Sequence, residues 1–335
     1  MQITGITLTG MTLTTIAPAP PAPAGTTKAI FGFGQITSNP DTYTAIPNLV
    51  SNTGVVATNT SGVGTARLGL AAAGYGTDKA IFGYGGDFSG WPPVNYSLTN
   101  LVSNTGVVAT DTTGVGTARA DLAAAGYGTD KAIFGYGTTG GTLTAITNLV
   151  SNTGVVATDT SGVGTARTGL AAAGYGSSGQ AIFGYGDAGG DPIFYSLTNL
   201  VSNTGVVATD TTGVGTARSV LSAAGYGSDK AIFGYGQSNS GDPDYIQTVY
   251  SLTNLVSNTG VVATDTTGVG TVRNNLAAAS YGSDKAIFGY GILYGAPATF
   301  YSLTNLVSNT GVVATDTSGV GTARSGLAAA GYSTA

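Results

Sequence analysis

Small apolar stretches, β-forming stretches and glycine-rich turns alternate along the chain, and residues 217–236 show this pattern most clearly. Residues 219–226 are mostly small and apolar, whereas residues 231–235 carry the isoleucine, phenylalanine and tyrosine side chains that favour extended strands. Between them lie Gly227, Ser228 and Asp229, which are residue types common in turns. The pattern therefore predicts a β-hairpin.

Close copies of this hairpin recur at intervals of about fifty residues, a period that indicates a repeat architecture. The second arm of the hairpin begins at Ala29, Ala80, Ala132, Ala181, Ala231 and Ala286. A Gly-Thr-(Ala/Val)-Arg element carries Arg67, Arg119, Arg167, Arg218, Arg273 and Arg324. Both series have six members, so we expect six structural repeats.

Each repeat is predicted to contain four antiparallel strands. In the repeat of Arg218 they cover residues 219–226, 230–235, 250–257 and 261–266, with a variable loop at 237–249. The side chains of the first strand are small enough for it to lie nearest a central axis. The side chains of the second strand are bulky on both faces, as expected for a strand between two neighbouring sheets. Four antiparallel strands in such a repeat are typical of one blade of a β-propeller.

Residues 117–126 allow a second interpretation. Their alanines favour a helix, and Gly126 would suit its C-terminal cap. A helix at this position in each repeat would make the fold an α/β solenoid, and the sequence leaves that alternative open.

The two ends of the repeat region complement each other. Residues 28–33 form a second strand with no first strand before it, and residues 327–332 supply a first strand with no second strand after it. Pairing between them would complete the last blade and leave no exposed sheet edge. We therefore expect an all-β fold over residues 28–335: a six-bladed β-propeller of four-stranded antiparallel blades, closed by the C-terminal strand.

Residues 1–27 differ from the repeats and are expected to form a separate N-terminal arm. Residues 1–16 alternate apolar residues with Thr or Gly for much of their length, which predicts one or two strands. Residues 17–25 are rich in proline and alanine, which favours an extended, semi-rigid spacer. A short strand segment on a stiff spacer suits a docking arm. The alternative is a strand that packs on its own domain.

Composition narrows the classes of function. Only 8% of residues are charged, the net charge is −5, and the arginines and lysines occupy two repeat positions, so we expect no nucleic-acid partner. No apolar stretch is long enough for membrane insertion. The chain has no cysteine, histidine or glutamate, which excludes Ser–His and Cys–His nucleophile pairs and the usual zinc sites. We expect no enzyme activity, no cofactor and no metal, although a hydrolase built on aspartates alone stays open.

The order of elements in each repeat resembles the kelch repeat: an arginine, an apolar strand, a strand ending in Gly-x-Gly, a variable loop and two outer strands. The resemblance covers residues 28–335, but the family's tryptophan late in the repeat is missing, and Trp91 lies in a variable loop instead. It implies propeller architecture more firmly than any activity. The Thr/Gly-rich start and the proline-rich spacer also resemble structural proteins of tailed phage virions, which implies an extracellular particle as the location.

An aspartate precedes the arginine by eight residues in five repeats, and Asn59 takes its place before Arg67. We interpret these residues as a structural clasp in which the arginine bridges the fourth strand of one repeat to the first strand of the next. The alternative is a ring of arginines that binds an acidic ligand at the mouth of a central channel. The five pairs are Asp111 and Arg119, Asp159 and Arg167, Asp210 and Arg218, Asp265 and Arg273, and Asp316 and Arg324.

Differences between the repeats are concentrated in the loops between the second and third strands, which are expected to share one face. Loops on a rigid scaffold are a common place for recognition, and aromatic residues often anchor interfaces. The candidate ligand-binding residues are Phe88, Trp91, Tyr245, Tyr294 and Phe300. Ordinary sequence drift in the loops is the alternative.

These observations favour a non-enzymatic virion structural protein, a tail-fibre or capsid-decoration component that presents the propeller for attachment to the host surface. Residues 1–27 would bind other virion proteins, and the variable loops would bind a host-surface glycan or protein. A carbohydrate- or protein-binding propeller outside a virion is the alternative.

Overall fold

The computed structural model describes residues 26–189, 193–239 and 247–334. These residues form an all-β fold, and none of them belongs to a helix that could cross a membrane. The strand and spacer predicted for residues 1–25 lie outside the described residues, as does the candidate binding residue Tyr245.

Six antiparallel sheets of three strands form the body of the fold. In each sheet a middle strand pairs with two others. Below, each sheet is given in the order of its inner strand, middle strand and outer strand. Sheet 1 contains β28 (Ala328–Thr334), β1 (Thr26–Gly32) and β4 (Pro47–Val50). Sheet 2 contains β5 (Ala71–Tyr75), β6 (Lys79–Gly83) and β9 (Thr99–Val102). Sheet 3 contains β10 (Ala123–Tyr127), β11 (Lys131–Gly135) and β14 (Thr147–Val150).

The other three sheets repeat this order of inner, middle and outer strand. Sheet 4 contains β15 (Ala171–Tyr175), β16 (Gln180–Gly184) and β17 (Thr198–Val201). Sheet 5 contains β18 (Ser222–Tyr226), β19 (Lys230–Gly234) and β22 (Thr253–Val256). Sheet 6 contains β23 (Ala277–Tyr281), β24 (Lys285–Gly289) and β27 (Thr304–Val307).

The helix considered for residues 117–126 is wrong. Residues 123–127 form β10, whose Ala124 and Ala125 pair with Phe134 and Ile133 of β11. The helix preference of alanine is small for each residue, and it is outweighed here by pairing with a buried strand of strong β-formers.

Each middle strand is buried between two neighbouring sheets, which explains its Ala-Ile-Phe-Gly sequence. In β6, Ala80, Ile81 and Phe82 are fully buried. The glycine that ends the strand leaves room for the phenylalanine of the next sheet, because a Cβ on Gly83 would lie 2.7 Å from Cζ of Phe134. Six hydrophobic clusters of this kind, each shared by two neighbouring sheets, form the core.

The predicted pairing between the two ends of the repeat region is confirmed. β28 runs antiparallel to β1, from the pair Thr26–Thr334 to the pair Gly32–Ala328. Sheet 1 therefore takes its inner strand from one end of the chain and its other two strands from the opposite end.

Two series of backbone hydrogen bonds join the sheets, and each series returns to the sheet where it began. The first links the residues two positions after each arginine, and it includes a 3.0 Å bond from Gly69 N to Gly326 O. The second links the turns between inner and middle strands of sheets 2 to 6, and it closes through β1 and β28 of sheet 1, with a 3.0 Å bond from Ser333 N to Asp78 O. Because both series cross from the last sheet to the first, the sheets are hydrogen-bonded in a closed cyclic order.

The fourth strand predicted for each repeat is not a regular strand, so the expectation of four-stranded blades is wrong in this detail. After sheet 5, residues 261–266 join β22 only through isolated bridges between Val256 and Val262 and between Thr253 and Thr266. The offset of these two pairs differs by one residue, which is the mark of a β-bulge. The bulge contains Asp265, whose carboxylate bridges its own sheet, through Asn254, and the connection from the preceding sheet, through Thr216.

The variable loops contain small hairpins rather than only irregular chain. An isolated β-bridge joins the first residue of each hairpin to the residue that follows an arginine, as between Gly86 and Leu68. The hairpins and the connections between sheets therefore share one face. We call this surface the hairpin face. In the described part of the fourth repeat a single bridge joins Asp187 to Phe194. The paired strands are β2 (Gln35–Ser38) with β3 (Asp41–Tyr43), β7 (Gly86–Asp87) with β8 (Val94–Asn95), β12 (Thr138–Thr139) with β13 (Thr142–Leu143), β20 (Gln237–Asn239) with β21 (Gln247–Val249), and β25 (Ile292–Leu293) with β26 (Thr299–Phe300).

Candidate functional site

All six arginines of the repeat element are fully buried at the junctions between sheets. Arg67 shows the arrangement: its Nε donates to Tyr84 O at 2.6 Å and its Nη2 donates to Asn100 Oδ1 at 2.8 Å, both in sheet 2. Its guanidinium also lies 4.4 Å from the ring centroid of Phe33, which follows β1 of sheet 1. Each arginine therefore binds one sheet through hydrogen bonds and the preceding sheet through an aromatic ring.

The aspartates of the predicted clasp face a different arginine from the one eight residues later. Asp111 lies 3.9 Å from Arg67, and Asp265 lies 4.0 Å from Arg218. The pairings predicted from the sequence are therefore wrong: each aspartate approaches the arginine of the preceding repeat. The pairs in the structure are Asp111 with Arg67, Asp159 with Arg119, Asp210 with Arg167, Asp265 with Arg218, and Asp316 with Arg273.

The direction of the chain explains this exchange of partners. The arginine eight residues after each aspartate already belongs to the connection that leads to the next sheet. The aspartate itself faces the connection that arrives from the preceding sheet, because the bulge directs its side chain there. Asp111 accepts hydrogen bonds from Thr65 Oγ1 at 2.6 Å, from Thr65 N at 3.0 Å and from Asn100 Nδ2 at 2.8 Å. Burial raises the pKa of Asp111, but these hydrogen bonds outweigh burial and hold the pKa below its ordinary value.

The junction between sheet 6 and sheet 1 lacks this carboxylate. Asn59 accepts a hydrogen bond from Thr322 N at 3.1 Å, and its Nδ2 donates to Thr322 Oγ1 at 2.7 Å. Nε of Arg324 has no hydrogen-bond partner among the described residues. The junction at which the cyclic order closes is therefore the least strongly clasped of the six.

We expect Asn59→Asp to raise the free energy of unfolding by about 0.5–1 kcal/mol at neutral pH, because charged hydrogen bonds are stronger than neutral ones. Asp111→Asn is the matched change in the opposite direction and should lower it. The new carboxylate should have a lowered pKa like Asp111, so its contribution is present above about pH 4 and is lost on acidification. Chemical denaturation at pH 7 and pH 3 measures both effects; equal stability of Asn59→Asp and wild type at pH 7 would contradict the assignment.

The alternative reading, a ring of arginines that binds an acidic ligand, does not fit the structure. Every guanidinium is fully buried, and the hydrogen bonds of Arg67 all go to groups of the protein itself. Burial lowers the pKa of Arg67 to about 10, so it stays charged at neutral pH and its charge serves the junction.

The hairpin face carries the aromatic residues that the sequence singles out. Trp91 is 95% exposed in the turn between β7 and β8, and Tyr294 is 48% exposed beyond β25. Phe88 and Phe300 are half-buried at the hairpins themselves, and the Phe88 amide donates to Oη of Tyr43 at 3.2 Å. Trp91 and Tyr294 belong to the hairpins of different sheets, and Trp91 is the more exposed of the two.

The centre of the hairpin face is formed by the six residues of the first hydrogen-bond series. They surround a cavity of about 110 Å³ whose wall continues into the Leu-Ala-Ala segments of the inner strands. All six have positive φ values, which suits glycine, yet only three of them are glycines. The six are Gly69, Asp121, Gly169, Val220, Asn275 and Gly326.

One carboxylate, that of Asp121, lies among the residues that line this cavity. Oδ1 of Asp121 lies beside Gly69, since a Cβ at Gly69 would be 2.6 Å away from it. Burial, and secondarily the charge of Asp187, raise the pKa of Asp121 to about 6. Burial also raises the pKa of Asp187, although Ser219 and the Gly189 amide oppose it.

The phenol of Tyr294 lies beside another residue that lines the cavity, Asn275. Asn275 Nδ2 donates to Tyr294 Oη at 3.3 Å, and burial together with the charge of Asp121 raises the pKa of Tyr294. Sequence reasoning singled out Tyr294 but missed the other residues described here: Asp121, Asp187 and Asn275. Comparison of the six repeats could have found Asp121, because it is the only charged residue at its repeat position.

No group of three potential metal-binding side chains occurs among the described residues. No protein-family model matches the chain, and no curated protein is found to be similar to it.

Proposed function

We propose that the chain is a six-bladed, kelch-like β-propeller that recognises a partner surface through its hairpin face and catalyses no reaction. The cyclic order of six sheets, the two closed hydrogen-bond series and the six shared clusters support the propeller. Its blades have three regular strands and one bulged outer segment.

Recognition by the hairpin face is supported by the contrast between the two faces. The turns on the opposite face repeat almost unchanged, and each presents an equivalent valine, such as Val55 and Val261, at 65% exposure. The hairpins differ from sheet to sheet in length and in side chains, and one of them holds Trp91 at 95% exposure. The observation that carries the proposal is this nearly complete exposure of the chain's only tryptophan on the face that varies.

We further propose that the protein is a virion component, of the tail-fibre or capsid-decoration kind, which attaches the particle to a host-surface glycan or protein. The support is the Thr/Gly-rich start and the proline-rich spacer of residues 1–25, which resemble phage structural proteins. Mass spectrometry of purified particles tests the location. Deletion of residues 1–25 should abolish incorporation into the particle while the repeat region remains folded. A soluble protein never found in particles would instead support a carbohydrate- or protein-binding propeller outside a virion.

Trp91→Ala should weaken attachment to host cells by about ten- to a hundredfold, equivalent to roughly 1.5–3 kcal/mol, because exposed aromatic anchors dominate many interfaces. The melting temperature should stay unchanged, since an exposed side chain contributes little to the fold. The matched control replaces the threonines of the β12–β13 hairpin with glycine and should have a much smaller effect. Attachment is measured by quantitative binding of the labelled protein to cells; equal, negligible effects of both changes would show that the hairpins do not recognise the host.

A further inference from the structure

The inner strand of sheet 1, β28, is held by contacts that differ from those of the other inner strands. We propose that β28 exchanges between two copies of this chain, so that the β28 of each copy pairs with the β1 of the other. The edge of β1 is then an interaction surface whose partner is a second copy of the chain. This exchange is independent of Trp91 and of the attachment proposed above.

The inner and middle strands of sheet 1 are not joined by a tight turn. In sheets 2 to 6 a turn of three or four residues joins these strands, as residues 128–130 do between β10 and β11 and residues 176–179 do between β15 and β16. In sheet 1, residues 33–327 lie between β1 and β28. β28 can therefore leave its sheet without disrupting a hairpin, whereas the other inner strands cannot.

The connection that leads into β28 is held by fewer hydrogen bonds than its equivalents. At the other five junctions the arginine Nε donates to a backbone carbonyl of the following sheet, as Arg67 does to Tyr84 O at 2.6 Å. At the sixth junction Arg324 donates from Nη2 to Asn48 Oδ1 at 2.7 Å, but its Nε has no partner among the described residues. The carboxylate that accepts from the connection elsewhere is replaced here by the neutral Asn59. This is the junction that must open for β28 to leave sheet 1.

The junction on the other side of sheet 1 also lacks a hydrogen bond. In sheets 2 to 6 the tyrosine after the middle strand donates its hydroxyl to a valine carbonyl of the next connection, as Tyr84 does to Val115 O at 3.1 Å. Sheet 1 has Phe33 at this position, which has no hydroxyl to donate. Within the described residues, sheet 1 is thus the only sheet whose two junctions both lack one of these hydrogen bonds.

A released β28 and the edge that it leaves are complementary apolar surfaces. Ala329 packs in the cluster shared with sheet 6, and Ala330 and Tyr332 pack in the cluster shared with sheet 2. On β1, departure of β28 uncovers Ile30 and Phe31 along an unpaired strand edge, which is a template for pairing with another chain. The β28 of a second copy restores the same contacts, so the closed monomer and the exchanged dimer differ little in contact energy, and protein concentration decides between them.

The connection before β28 provides the hinge for this exchange. Residues 318–327 include Gly319, Gly321 and Gly326, and none of the ten residues belongs to a regular strand. Fully extended, ten residues span about 33–36 Å. This length is sufficient for β28 to reach sheet 1 of an adjacent copy while the other sheets of its own chain stay folded.

Disulfide trapping between two full-length single-cysteine variants tests the exchange, because the chain has no cysteine of its own. Thr27 of β1 lies opposite Ser333 of β28, and residues directly opposite each other on neighbouring strands are close enough for a disulfide. Equal amounts of Thr27→Cys and Ser333→Cys chains are incubated together at high concentration, below the melting temperature of every variant, and then oxidised. We expect a covalent dimer on a non-reducing gel from the mixture and none from either chain alone, since only exchange brings the two different thiols together.

Three controls identify the moving strand and the junctions that restrain it. A single chain that carries both Thr27→Cys and Ser333→Cys and is oxidised before the incubation should stay monomeric in size-exclusion chromatography. Asn59→Asp and Phe33→Tyr each install the residue of the other five repeats, and each should lower the dimer yield about two- to fivefold by strengthening a junction of sheet 1. Asp265→Asn changes a junction remote from sheet 1 and should leave the yield unchanged. A mixture that gives no covalent dimer, a dimer formed equally well by one chain alone, or a yield unaffected by both sheet 1 variants would overturn the proposal.

Discussion

A chain that ends at residue 326 is expected to lose its folded state. The truncation removes β28, the inner strand of sheet 1, and with it the buried side chains Leu327 and Tyr332. It also uncovers Ile30 and Phe31 of β1, which are fully buried in the intact chain. At roughly 25 cal/mol for each Å² of apolar surface, several hundred Å² correspond to about 10 kcal/mol, which is comparable to the whole stability of a domain.

The truncated chain should aggregate, because it presents an unpaired strand edge on β1 and interrupts the second hydrogen-bond series at Ser333. Circular dichroism and size-exclusion chromatography measure the loss. The control is a synthetic peptide of residues 327–334, which should restore the melting transition when added in trans, since it supplies only the missing strand. A soluble truncated chain that melts like wild type without the peptide would show that the closed order of the sheets does not stabilise the fold.

Arg218→Ala should lower the free energy of unfolding by roughly 3–5 kcal/mol, the range expected when one partner of a buried charged network is removed. Arg218 is fully buried and donates to Tyr235 O at 2.7 Å and to Asn254 Oδ1 at 2.7 Å, so its loss leaves both acceptors unpaired. Arg218→Lys should also destabilise the fold, because one ammonium cannot reproduce the planar fork of the guanidinium.

A double-mutant cycle decides which aspartate is the partner of Arg218. Asp265 lies 4.0 Å away from it, so Arg218→Ala and Asp265→Asn should show a coupling of about 0.5–1 kcal/mol. The matched control is Asp210→Asn, whose aspartate accepts hydrogen bonds from Thr165 at the preceding junction, and its effect should add to that of Arg218→Ala. Coupling to Asp210 with none to Asp265 would restore the pairing inferred from the sequence. Urea denaturation of the three single and two double variants provides the free energies.

The least strongly clasped junction and the pairing of the chain ends occur in the same sheet. Sheet 1 has Asn59 where the others have aspartate, and Pro47 where they have a threonine whose amide donates to the outer segment, as Thr99 N does to Thr112 O at 3.3 Å. We therefore expect the amides of β28 and β4 to exchange with solvent before those of sheets 2 to 6.

Local sequence was enough to predict the regular part of this protein. The number of repeats, the inner and middle strands and the pairing of residues 28–33 with the C-terminal strand follow from short patterns such as Ala-Ile-Phe-Gly, which set both strand preference and burial. The pairing of the chain ends follows, in addition, from the absence of a first strand before residues 28–33 and of a second strand after residues 327–332. These features depend on residues close together in the chain, or on identical copies that must pack in the same way.

Only the tertiary structure decided which side chains meet across the repeats. The bulge at Asp265 turns the aspartate toward the preceding junction, and nothing in the eight-residue spacing to Arg273 indicates that the chain crosses to the next sheet between them. Likewise, Gly69, Asp121 and Asn275 come from three different repeats, and they line one cavity because hydrogen bonds between successive sheets bring their connections together. Contacts between residues so far apart depend on how the sheets are arranged around the cavity, which no local pattern specifies.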